Sequence, residues 1–93
     1  MRELTAGMTA ISLAGHDKGT RYLILGKTAD GRFLLTDGRN HPVARPKIKK
    51  RIHFQPCYQI DDGIAEILKQ DRTLLDENVI RAIKTMDNSQ GRM

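Results

Sequence analysis

The sequence predicts a mainly β domain with C-terminal helices: about five short strands forming a small barrel, followed by two short α-helices. Three observations lead there. The first 58 residues carry short runs of β-forming residues separated by Gly-bearing turns. Beyond residue 58 the apolar period lengthens from about two to about 3.6, the change from strand to helix. A chain of 93 residues supports one modest core and is too short for two domains.

The elements follow in order. Residues 9–14 and 20–27 are rich in β formers, and the two glycines of Gly15-His16-Asp17-Lys18-Gly19 between them permit a tight loop. Asp30-Gly31 is a turn signal leading into a strand at 32–36, and Asp37-Gly38 is a second. Further short strands are expected at 41–45 and 50–54. Tyr22 to Leu25 and Phe33 to Leu35 are apolar on both faces, which suits a small sheet that curls and covers itself. A closed barrel fits this pattern; so does an open sheet. Ile60, Ile64, Ile67 and Leu68 then form one helical stripe, with Asp61 or Asp62 to cap it. Val79, Ile83 and Met86, with Ile80 beside them, form a second stripe behind Asp76 as N-cap. The predicted organisation is a barrel over 1–58, a helical extension packed on it over 59–88, and a frayed tail over 89–93.

Apolar residues make up 39% of the chain, with no Trp, two Phe and two Tyr, so the core must be mostly aliphatic. No run approaches the ~18 apolar residues of a membrane helix, and no signal-peptide stretch opens the chain. A single cysteine, Cys57, cannot form an internal disulfide. Together these predict a cytoplasmic protein without membrane association. The net charge of +5 is unevenly placed. Residues 1–56 hold eleven Lys/Arg against four Asp/Glu, a net +7, whereas residues 57–93 hold five against seven, a net −2. Solubility alone requires no such concentration; an anion-binding first part does.

The charge peaks in one segment. Arg45, Lys47, Lys49, Lys50 and Arg51 fall within seven positions that contain no acid. Pro46 disfavours helix at Arg45, which predicts an extended entry. If the segment stays extended, Lys47, Lys49, Arg51 and His53 face one way and Ile48, Ile52 and Phe54 the other, with Lys50 the exception. That is a strand with a cationic upper side and an apolar underside. Cations on such a strand can follow successive phosphates, and contact with about six would give a log-log salt slope of about −4 to −5. The plainer alternative is an edge strand that uses lysine to block edge-to-edge pairing, for which one or two charges suffice.

Residues 10–25, Ala-Ile-Ser-Leu-Ala-Gly-His-Asp-Lys-Gly-Thr-Arg-Tyr-Leu-Ile-Leu, resemble a KOW motif: an alternating strand, a glycine-centred loop and a second apolar strand. With Asp37-Gly38 and Arg45-Pro46-Lys47 added, residues 7–55 are similar to short bacterial KOW-domain RNA-binding proteins, and to KOW-bearing proteins of the archaeal and eukaryotic large ribosomal subunit. The resemblance implies an SH3-like barrel that binds ribosomal or other structured RNA, with ribosomal proteins as further neighbours. It implies backbone contacts from Gly15, His16, Lys18 and Gly19 in the loop and from Arg45, Lys47, Lys49, Lys50 and Arg51 in the basic run. His16 departs from the Arg or Lys expected there, and a mostly neutral imidazole gives a weaker contact.

Other chemistries have little to rest on. His53, Cys57 and His41 lack a fourth ligand and a second Cys for structural zinc, so no metal or cofactor is expected. Asp61-Asp62 sits where a helix cap belongs, and no paired nucleophile and base is visible, so the chain is expected not to be an enzyme. Tyr22 and Phe33 lie within strand patterns and are expected in the core. Phe54 and Tyr58 either offer one stacking face or pack against the helices. Sparse aromatics favour recognition of RNA backbone and shape. An alternative function is a protein-interaction module of the transcription or translation machinery, with Val79, Ile83 and Met86 or Ile64 and Leu68 partly exposed as the binding face.

Overall fold

A computed structural model describes residues 3–90, the last two by their backbone alone. The elements are β1 (Met8–Ser12), β2 (Arg21–Lys27), β3 (Phe33–Thr36), β4 (Lys47–Lys49), a 3-10 turn (Arg51–His53), β5 (Phe54–Ile60), α1 (Asp62–Lys69) and α2 (Asp76–Gln90). The strands form one antiparallel sheet in the order β4-β3-β2-β1-β5, so the last strand returns beside the first. The chain is therefore mainly β with two helices after the strands. Among the described residues no helix is long and apolar enough to cross a membrane.

The sheet curls. Phe33 on β3 and Phe54 on β5 are separated by two intervening strands, yet their rings meet edge to face with centroids 5.5 Å apart. A flat sheet would hold those strands about 14 Å apart. Register shifts between Met8 and Thr9 and between Ile24 and Gly26 supply the bending, since an extra residue on one strand increases local twist. The concave face encloses Ala10, Tyr22, Ile24, Phe33, Leu35 and Phe54. On the other face Leu23 packs with Ile64 of α1 and Val79 and Ala82 of α2. Strand β2 is thus apolar on both sides because helices cover its second face; curling accounts for only the first.

Three local expectations change. Residues 41–45 form turns, held because Asp37 accepts from the amides of Arg39 and His41 (2.9 Å each) while Thr36 donates its hydroxyl to His41 O (2.7 Å). No strand spans 50–54, since the 3-10 turn interrupts the extended path and β5 starts at Phe54 and runs to Ile60. Ile60 is consequently a strand residue. Pro56 is tolerated in β5 because an edge strand has one side without partners to lose.

The helices are placed by specific caps. Asp61 accepts from the Ile64 amide at 3.2 Å and caps α1. Asp76 does not cap α2: it is the first helical residue, and its carboxylate accepts from Val43 N–H at 2.7 Å, tying the β3–β4 loop to the helix. Asn78 instead accepts from the Leu75 amide at 2.9 Å, closing the entry turn. Near the far end of α2, exposed Asp87 meets the buried guanidinium of Arg21 at 2.5 Å, and Arg21 also donates to Thr9 at 3.0 Å. The helix continues through residues 89 and 90 of the expected frayed tail; residues 91–93 lie outside the described residues.

Candidate nucleic-acid interface

The β1–β2 loop is a folded unit. Gly19 N–H donates to Ser12 O at 2.8 Å, Thr20 N–H to Asp17 O at 2.9 Å and Lys18 N–H to Gly15 O at 3.2 Å. Gly15 and Gly19 both have positive φ, which lets the chain reverse within these few residues. The amides of Lys18 and Gly19 are therefore already bonded within the loop. Those of Gly15 and His16, both exposed, have no partner among the described residues.

Asp17 is the residue that sequence reasoning passed over. Its side chain is only 13% exposed and accepts from Tyr22 Oη at 2.7 Å, Lys47 Nζ at 2.9 Å and Lys49 Nζ at 3.2 Å; the Ser12 hydroxyl lies 2.9 Å away. Burial pushes its pKa up, but hydrogen bonds from Tyr22, Lys47, Ser12 and Lys49 outweigh burial and hold the carboxyl well below the usual range. The same contact keeps the Tyr22 phenol protonated: burial, then the hydrogen bond to Asp17, then the charges of Asp17 and Asp37, all raise its pKa. One carboxylate thus fastens the loop to β4 across the mouth of the curled sheet.

This arrangement inverts the expected orientation of the basic run. Lys49 is opposite Phe33 and Lys47 opposite Leu35, so both lysines share the concave face with core residues, whereas Ile48 points outward and is exposed. The expected alternation holds over Lys47–Lys49 with its two sides exchanged. Lysine on the inner face is stabilised by Asp17, and the side chains are 30% (Lys47) and 10% (Lys49) exposed. Past Lys49 the 3-10 turn breaks the alternation, leaving Arg51, Ile52 and His53 exposed and Phe54 in the core.

Lys18, Lys50 and Arg51 lie on or beside the same loop. Leu13 N–H donates to His53 O at 2.8 Å, and Lys49 Nζ reaches Ala14 O at 3.3 Å, so the basic run and the turn flank residues 13–19. Lys18, Arg45 and Lys50 are exposed and form no ion pair among the described residues. Arg51 lies over the Phe54 ring at 5.3 Å and donates to Phe54 O at 3.1 Å, which fixes its guanidinium while leaving its charge unpaired. Arg45 stands apart on the β3–β4 loop, two residues before Lys47. Residues 13–20 and 45–54 together hold six Lys/Arg and one Asp, a net +5 with the histidines neutral.

No protein-family model matches this chain, and no curated protein matches it either.

The alternative sites do not assemble. Among the described residues no three His, Cys, Asp or Glu side chains gather where they could hold a metal ion. Tyr22, Phe33 and Phe54 are buried, so of the Phe and Tyr side chains Tyr58 alone, partly buried, is left as a stacking surface, beside the exposed imidazoles of His16 and His53. Of the helical residues nominated as a protein-binding face, Ile64, Val79 and Met86 are buried, Ile83 is partly buried and Leu68 is 39% exposed, so the stripes mostly cover the sheet and leave Leu68 outward.

Replacing Asp17 with Asn should reveal its role. The variant is expected to lose about 2 kcal/mol at pH 7, less than a fully buried broken pair because Lys47 is partly solvated. A carboxyl with a depressed folded pKa contributes its stability above the unfolded value near pH 4 and loses it as pH falls through the folded one. The gap between wild type and Asp17→Asn in urea midpoint should therefore be constant from pH 7 to about 5 and narrow progressively below pH 4. A gap independent of pH would contradict this assignment.

Proposed function

We propose that this chain is a non-enzymatic RNA-binding module of the SH3-like, KOW-domain kind, acting on ribosomal or other structured RNA in the cytoplasm. The supporting observation is the convergence of Lys18, Lys50 and Arg51 around one glycine loop, with the lone local carboxylate already neutralised by Lys47 and Lys49. A strand order in which β5 returns beside β1 after a 3-10 turn supports the barrel class that the KOW resemblance implies. The unpaired cations position phosphates, and the closed loop–β4 junction keeps them in place without ordering on contact. Backbone and shape, not a series of stacked bases, are what the surface is built to read, since no Phe or Tyr side chain among the described residues is more than partly exposed.

The inward lysines lower the number of phosphates engaged. Lys18, Arg45, Lys50 and Arg51 remain, which gives a log-log salt slope of about −3 to −3.6. Titration of a labelled ribosomal RNA hairpin by fluorescence anisotropy at several salt concentrations measures it. Affinity that hardly changes between low and moderate salt would overturn the RNA reading.

A further inference from the structure

We propose that Ile52, presented by the 3-10 turn, packs against an unpaired nucleotide, so that the interface takes RNA at a bulge or helix–loop junction in preference to uninterrupted duplex. This deepens the RNA reading and rests on it.

Ile52 is 76% exposed, more than any other large apolar side chain among the described residues, and its turn buries no residue. Its immediate neighbours Lys50, Arg51 and His53 are polar and exposed. Leu13, 46% exposed, joins the turn through its amide on His53 O. The turn is fixed at both ends: His53 N–H donates to Lys50 O at 3.0 Å, the Phe54 amide to Arg51 O, and the Arg51 guanidinium to Phe54 O. An isoleucine held in place at the centre of a cationic turn is not an accident of a mobile loop.

Phosphates give such a side chain nothing to pack on; ribose and base faces do. In A-form duplex the base faces are stacked away and the major groove is too narrow for side chains. A bulged or junction nucleotide exposes a face next to a backbone that the flanking cations hold. Apolar side chains inserted beside unstacked bases are an established device of nucleic-acid recognition. An anionic lipid surface also combines negative charge with apolar depth, but a single isoleucine buries far fewer carbons than even one myristoyl chain, which itself anchors only marginally.

The test compares two RNA hairpins of the same stem sequence, one with a single-nucleotide bulge and one without, by fluorescence anisotropy at about 0.1 M salt. Wild type should bind the bulged hairpin about tenfold more tightly, the share of affinity one buried isoleucine supplies. Ile52→Ala should abolish that preference while keeping its affinity for the plain stem, its salt slope and its melting temperature. Equal wild-type affinity for both hairpins, or an equal loss on both in Ile52→Ala, would overturn this inference and leave the RNA reading standing. Binding of neither hairpin would overturn both. Binding to phosphatidylserine vesicles that depends on Ile52, with no preference between hairpins, would assign the side chain to lipid and equally overturn the proposal.

Discussion

Gly38→Ala is expected to cost about 3 kcal/mol of stability, enough to lower the melting temperature of a domain this size by roughly 12–24 °C. Two causes add. Gly38 has φ +75°, where an alanine costs about 1 kcal/mol in backbone strain. A Cβ there would also lie 2.7 Å from Asp76 O and 2.9 Å from Ile80 Cγ1, and the first of these is helix backbone that cannot turn aside. Overpacking of this kind costs typically 1–3 kcal/mol. Gly31→Ala is the control, since φ is +89° but nothing lies within 4 Å of the added carbon, so only the backbone cost of about 1 kcal/mol applies. Urea denaturation of both variants separates the causes. Equal losses would mean that α2 moves away from residue 38 without penalty, and that its docking is looser than Asp76–Val43 and Arg21–Asp87 imply.

The same glycine shows what the sequence displayed and what it concealed. Asp37-Gly38 was legible as a turn, because Asp and Gly are the residues such reversals demand. Its contact with the start of α2 was not legible, since no local pattern reports that a helix some forty residues later lies on the turn. Periodicity located β2, β3 and both helices because each buries a regular face. It misplaced the strands after residue 40, where only three residues of β4 are extended and an apolar side chain, Ile48, faces solvent. Short edge strands carry too few side chains to declare which face is in.

The candidate site was legible in composition and not in orientation. The basic run is visible in any charge count, yet Lys47 and Lys49 point inward because of one carboxylate thirty residues earlier, within a loop read only for its glycines and cations. Asp17 carried a signal: it is the only acid in residues 4–29, between two apolar strands. A lone acid in a basic loop is a candidate for pairing with the nearest surplus of lysine. Conversely, Ile52 was assigned to an apolar underside by alternation, and the 3-10 turn exposes it. The surface that follows is smaller in charge than the sequence suggests and more mixed in chemistry.

Under the proposed function, that redistribution predicts which cations would carry RNA binding. Replacing Lys18, Arg45 and Lys50 together with Gln should weaken RNA binding by on the order of a hundredfold at about 0.1 M salt and flatten the salt slope by about 2 to 3. Replacing Lys69, Arg72 and Lys84, which lie on and after α1 and on α2, changes net charge by the same amount. General attraction to a basic protein therefore predicts equal losses, whereas a localised surface predicts little change in slope for the second triple. Both triples remove exposed side chains that form no ion pair among the described residues, so folding should survive and the far-ultraviolet circular dichroism should be unchanged. Lys47 and Lys49, replaced as a pair, should behave differently from either. Their ammonium groups stabilise Asp17 at the mouth of the curled sheet, so their loss should lower the urea midpoint first and reduce the salt slope by less than the three exposed cations do. If the two exposed triples weaken binding equally, the charge is diffuse and the loop-centred surface is not a site. If the inward pair flattens the slope as much as Lys18, Arg45 and Lys50, then RNA displaces Asp17 from its lysines on binding, and the loop–β4 junction opens to meet phosphate.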